Sequence, residues 1–371
     1  MASLIRTHAA LLVAGILSFA IMGAGQSLYG PALPAFARDF GLSVGQAGWL
    51  VSALWVGSAT GVALMFFRGR SVTPRHALGV MVAGSALIAS GIGWVPTLAG
   101  SVIFGMGYGI STVVFNPRVL RAFGAKGPSM VSLLNAMFAV GAILAPLGFV
   151  AIGSNPQLAF AVVSAICALI WLVAGTGDRV EERAAAASKP YRFRPGLLCF
   201  GVVCIGVEAC LIGLGPTALI AAGAAEDTAA RALSGFFVAF LIARTALVFT
   251  AHLVPAFTIY AVAMCGAAAC AIGAVLFAAV PFFMAMGAFA GLFFPGFFVT
   301  ASRLMGDDPR VTPTIIAAGL VGGISSPVLL GWLVEGMGER GFFQIVAGVT
   351  LVTAVAALLL LRRYNAEALR G

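Results

Sequence analysis

Charge is what this chain has least of. Of its 371 residues 9% are Asp, Glu, Lys or Arg, against 61% hydrophobic. So few charges cannot clothe an ordinary water-facing surface, which excludes a soluble globular domain. The usual apparatus of catalysis is missing too. There is no glycine-rich nucleotide loop, no Ser/His/Asp set, and histidine occurs three times. No enzymatic activity and no cofactor are expected. The six cysteines form no CxxC pair, which argues against a disulfide framework or a zinc site. They read as small apolar residues.

What fills the chain instead is a series of twelve apolar stretches, the first Ala9–Tyr29 and the last Phe342–Leu361. About 20 apolar residues cross the roughly 30 Å hydrocarbon core as a helix. Within lipid the backbone must satisfy its own hydrogen bonds, so only helices or a closed barrel are open to it. A barrel needs short alternating strands, and these runs are continuous. The fold class is therefore an all-α membrane protein with twelve transmembrane helices. The first stretch, with Arg6 ahead of it, has the look of a signal peptide. It is too long for one, and eleven more follow, so it reads as an uncleaved helix.

A net charge of +9 invites a nucleic-acid reading, but the distribution of the charges argues for a membrane. With the N-terminus in the cytoplasm and the spans alternating, seventeen Lys and Arg fall in cytoplasmic segments. Arg38, Arg231 and Arg340 fall outside. That bias is the positive-inside signature, and it places both termini in the cytoplasm, in what is expected to be a bacterial inner membrane.

The longest charged break, 177–194, divides the chain into 1–176, a cytoplasmic linker, and 195–371, with six spans on each side. The halves echo one another. Gly105, Gly109, Arg121 and Gly124 recur 182 positions later as Gly287, Gly291, Arg303 and Gly306. Gly141-x4-Pro146 recurs as Gly322-x4-Pro327 at an offset of 181. Repeated six-helix halves are a mark of secondary transporters, whose solute site lies near the bilayer midplane. Glycine pairs four apart, such as Gly57 with Gly61 and Gly319 with Gly323, also let helices approach closely where lipid offers no hydrophobic drive.

These features together resemble the major facilitator superfamily over essentially the whole length. The resemblance is carried by the 6+6 layout and by Gly30-Pro31…Leu33-Pro34, read as the exit from the first helix. It is carried also by Gly41-Leu42-Ser43…Gln46-Ala47-Gly48, which leads into the second. More narrowly, Gly105-Met106-Gly107-Tyr108-Gly109…Asn116 resembles the fourth helix of the fucose/glucose proton-symporter branch. Leu134-Asn135…Gly141-Ala142-Ile143-Leu144-Ala145-Pro146 resembles its fifth, and Gly291-Leu292-Phe293-Phe294-Pro295 its tenth. The resemblance implies two pseudo-symmetric six-helix bundles and solute transport by alternating access. Two departures stand out. The superfamily's loop after helix two usually carries acids in a charge lock, where this chain has Arg68-Gly69-Arg70 and Arg75-His76. The sugar branch places coupling acids in helices one and four, where this chain has Gln26 and Asn116.

Ionisable groups inside a membrane are costly and so mark function. Two lie deep, Glu208 in the seventh span and Arg244 in the eighth. Three roles are open to them. They form a structural ion pair; or Glu208 takes up and releases a proton as Arg244 moves; or Arg244 holds an anionic solute and Glu208 balances it in the empty site. Gln26, Tyr29, Tyr108, Asn116 and Asn135 are uncharged candidates for hydrogen bonds to a solute, with Trp55, Phe293 and Phe294 as aromatic walls. Pro117, Pro146, Pro216, Pro295 and Pro327 read as interruptions where helices flex, and Arg118, Arg121 and Arg303 as snorkelling anchors outside the site.

The expected function is secondary active transport of a small polar or anionic solute, proton-coupled through Glu208. Competing readings are an exporter of amphipathic compounds, a copper importer using thiol and thioether ligands, and a transport-inactive receptor or assembly factor on the same fold. The expected partners are a small-molecule solute and the lipid bilayer, with no nucleic acid and a monomer as the working unit.

Overall fold

Helices begin and end in this chain where local chemistry tells them to. In a computed structural model, residues 8–68, 72–124, 127–174, 191–250, 253–306, 308, 310–338 and 340–370 are described. They form twelve helices in chain order. The first six are α1 (Ala9–Phe40), α2 (Val44–Arg68), α3 (Pro74–Ala89), α4 (Trp94–Ala122), α5 (Gly127–Ala151) and α6 (Pro156–Val173). The second six are α7 (Pro195–Ala221), α8 (Glu226–Thr250), α9 (Ala256–Leu276), α10 (Ala279–Met305), α11 (Val311–Val334) and α12 (Gly341–Arg370). Among the described residues ten helices are long and apolar enough to cross a membrane, while α6 is a shorter apolar helix. At α3 the chain turns into helix at Thr73-Pro74, where the Thr73 N–H donates to His76 Nδ1 at 3.1 Å. At α6 Asn155 accepts from the Leu158 N–H at 2.8 Å and Pro156 takes the first helical position.

The prolines behave differently from their reading in the sequence. Helix α1 does not end at Gly30-Pro31 but runs through Pro31 and Pro34 to Phe40. It stops at Gly41, which has φ 64°, and the Leu42 N–H returns to the Ala37 carbonyl at 2.8 Å. Pro117, Pro146, Pro216, Pro295 and Pro327 likewise sit inside unbroken helices. Each proline deletes one N–H from a ladder of some two dozen, and packed neighbours hold the rest of the helix in place. In short, they do not interrupt.

The chain divides into two compact units, residues 1–42 with 49–182, and residues 43–48 with 183–371. Residues 177–190 of the charged break, residues 69–71 and the Arg68 side chain lie outside the described residues. In the first unit α1 packs on α5, and α3 on α4 and α6. In the second, α7 packs on α11, and α9 on α10 and α12. The pairings repeat, and the glycines explain why. A Cβ on Gly105 would strike the Leu54 carbonyl oxygen, and one on Gly287 the Phe236 carbonyl oxygen. Gly109 stands in the same relation to Ser58, Gly291 to Phe240, Gly141 to Ala20 and Gly322 to Val202. Leu54 and Phe236, Ser58 and Phe240, and Ala20 and Val202 are each 182 apart. The echo in the sequence is thus a repeated set of backbone contacts, each open to a residue without a side chain. Gly124 and Gly306, another echoed pair, both follow their helices at positive φ, 49° and 101°.

Candidate functional site

In the first unit, helix packing sorts the uncharged candidates. Gln26 of α1 is buried, and the Tyr108 hydroxyl of α4 donates to its Oε1 at 2.9 Å. The Tyr108 ring meets Phe138 of α5 edge-on at 6.3 Å. Three helices thus build one small polar patch with an aromatic flank. Tyr29 is not part of it. Its side chain is 1% exposed, packs edge-on against Phe160, and has its hydroxyl 3.0 Å from the Ser101 hydroxyl, which itself reaches the Leu50 carbonyl at 2.9 Å. Three residues separate Gln26 from Tyr29, yet the environments differ: Tyr29 ties helices together. Asn116 of α4 has a buried Oδ1 without a hydrogen-bond partner. Asn135 of α5 is exposed, and its Nδ2 donates to the Val131 carbonyl one turn back at 2.9 Å.

In the second unit Glu208 is the middle residue of α7. Its Oε2 is buried and has no hydrogen-bond partner. Arg244 of α8 is held in a defined orientation. Its Nε donates to the Gly291 carbonyl of α10 at 3.1 Å, and its guanidinium lies 4.5 Å from the centroid of the Phe240 ring. The glycine repeat makes that bond possible, because the close approach of α10 to α8 brings a backbone carbonyl within reach of an arginine one turn beyond Phe240. Phe240 and Gly291 were not foreseen as parts of the site. The signal for Phe240 was its spacing of four from Arg244 on one helix face.

The repeat also relates the two units at these positions. In the register set by Ala20 and Val202, Gln26 and Glu208 are counterparts 182 apart. A neutral amide stands in one half where the other has an acid.

Two arginines outside the candidate site fasten helices together. Arg118 does not snorkel: it is buried, and its Nη2 donates to the Val72 carbonyl at 3.1 Å, fastening α4 to the segment before α3. Arg75 of the basic loop donates through Nη2 to the Leu172 carbonyl at 3.3 Å and lies 5.9 Å from the Trp171 ring centroid, joining α3 to the end of α6. Among the described residues no three His, Cys, Asp or Glu side chains converge as a metal site would require.

The Major Facilitator Superfamily profile matches residues 15–316. The chain belongs to that superfamily. No curated protein sequence matches significantly. Among solved structures, a D-xylose–proton symporter superposes with a TM-score of 0.74 at 14% identity, covering 94% of this chain and 96% of that one. The E. coli fucose:proton symporter gives 0.65 at 18% identity, covering 96% and 99%. A nucleoside transporter gives 0.74 at 14% identity, covering 95% and 98%. At such identities the likeness is one of fold. As a member of this superfamily the chain is an integral membrane transporter of small-molecule solutes, embedded in the lipid bilayer.

Proposed function

We propose that this chain is a secondary active transporter that moves a small polar or anionic solute by alternating access, with Glu208 carrying the coupled proton. The observation that carries the reading is the buried, orphaned Glu208 oxygen in the middle of α7. A buried acceptor left unpaired costs about 1–3 kcal/mol, more when charged. Binding a proton removes the charge part of that cost, and a solute that donates to the carboxylate supplies the missing partner. Arg244 supplies the opposite preference, since its positive charge favours the ionised acid. An anionic solute that engages Arg244 weakens that support and leaves Glu208 to take up a proton. Solute and proton then load together. Within the first unit by itself, Gln26, Tyr108 and Asn116 offer polar groups suited to hydrogen bonds with a polar solute. The proposed setting is a bacterial inner membrane with both termini in the cytoplasm, on the strength of the positive-inside bias.

Uptake by proteoliposomes under an imposed pH gradient tests the reading. Glu208→Gln is expected to abolish accumulation above equilibrium while keeping solute counterflow. Normal accumulation by that variant would overturn the coupling role.

A further inference from the structure

Helices α1, α5 and α6 enclose a groove of about 330 Å³ within the first unit, and the proposed transport chemistry makes no use of it. Its lining is apolar throughout. Small residues form part of it, with Ala24, Gly141 and Ala145 among them, and larger ones such as Leu144 and Val162 are exposed beside them. Along α1 the lining runs from Leu17 to Leu28, a rise of roughly 16 Å along the helix. That is about half the thickness of the hydrocarbon core, the depth of one leaflet. One end of the groove is at Ile152 and Ala159, beside the turn between α5 and α6. At that turn Asn155 caps α6 and the Gln157 side chain donates to Asp39 at 3.2 Å. The other end is lined by Leu17 and Ile170, two residues before the Leu172 carbonyl that Arg75 holds.

Exposed apolar side chains on α5 and α6, Leu144 at 58% and Leu169 at 64%, mark this flank as part of the surface that meets lipid in an integral membrane protein. The groove continues that surface inward. We propose that it is a binding site for one acyl chain of a phospholipid, from the leaflet on the side of the α5–α6 turn. The polar turn lies at the depth of that lipid's headgroup, and the apolar channel receives its chain. Shape and length distinguish this seat from the general lipid annulus, which needs neither a recess nor a polar end.

A phosphatidylcholine carrying a diazirine in one acyl chain is the probe. The full-length protein in detergent is titrated with it at low lipid-to-protein ratio, irradiated, and its adducts are mapped by mass spectrometry. Adducts that saturate near one per protein and concentrate on the groove-lining stretches of α1, α5 and α6 are expected. Gly148→Leu is the companion variant. Gly148 lines the groove, and a Cβ there meets no atom within 4 Å, so the leucine fills the recess without displacing backbone. It should reduce groove adducts at least tenfold while leaving the elution profile and melting temperature unchanged. Adducts spread evenly over exposed residues such as Val352 and Leu359 of α12, or undiminished in Gly148→Leu, would leave only annular lipid and overturn the proposal.

Discussion

At the scale of single residues, the site depends on how a few side chains are oriented. Arg244 donates to a carbonyl and lies over a ring, and each of these contacts uses a property that lysine lacks: a directed Nε–H and a flat cation. Arg244→Lys keeps the charge and loses the aim. If an anionic solute is held by a planar fork, KM should rise about tenfold or more in that variant with the expression level unchanged. Unaltered uptake kinetics would count against the clamp. Tyr108→Phe removes the donor to Gln26 and keeps the ring against Phe138. A net hydrogen bond contributes about 1 kcal/mol, so a rise in KM of roughly fivefold is expected, read from the concentration dependence of uptake. Residue types alone could not separate these roles. Tyr29 and Tyr108 looked equally suited to a solute, and only the rotation of their helices decides that one joins Gln26 while the other is sealed against Ser101. Glu208 and Arg244 stood out in the sequence because a charge within an apolar run is costly to bury and is seldom kept without a role.

The elements of this molecule were far more legible, because an apolar run of fixed length has one solution in lipid. The glycine echo was legible too, and contacts of like geometry stand behind it in both units. Gly287→Leu forces a side chain onto the Phe236 carbonyl, so it should destabilise by about 1–3 kcal/mol and lower the detergent melting temperature by several degrees. Gly336→Ala, where nothing lies within 4 Å, should leave melting unchanged. The proline readings failed for a physical reason. A proline tells of one missing donor, while the surrounding helices decide whether the segment stays helical. At the end of α11, Glu335 accepts a 2.7 Å hydrogen bond from the Gly45 N–H in the first turn of α2, a turn that clusters with the second unit. The Ser43 hydroxyl foremost, and this bond after it, hold the Glu335 carboxyl below the ordinary value of 4.5. The folded form therefore binds its proton less readily than the unfolded one. The contribution is full above pH 4.5 and is lost as the pH falls through the lower folded value. Glu335→Gln should melt below the parent at neutral pH. The gap should narrow as the pH falls below 4.5, and a gap independent of pH would remove the carboxylate from the explanation.

For the whole molecule, the strongest statement in the sequence concerns the sidedness of its charges, and it holds whatever the solute. Seventeen basic residues against three are the basis of the proposed orientation, a signal that composition alone would miss, since +9 is equally what a nucleic-acid-binding protein shows. Some of these cations do more than mark a side. Arg194 and Arg363 both pair with Glu367, joining the start of α7 to the end of α12, and Arg310 pairs with Asp308 at 2.9 Å before α11. Such pairs in water contribute little each, so their value to orientation lies in where they sit during insertion. Two exposed alanines test the sidedness. Ala225 lies in the turn between α7 and α8, and Ala366 near the end of α12. Counting spans from a cytoplasmic N-terminus puts Ala225 outside and Ala366 inside. In intact cells a membrane-impermeant maleimide should modify Ala225→Cys above the background of the native thiols and leave Ala366→Cys unmodified until the membrane is permeabilised. The opposite pattern would invert the molecule, and the direction assigned to its proton and solute would have to invert with it.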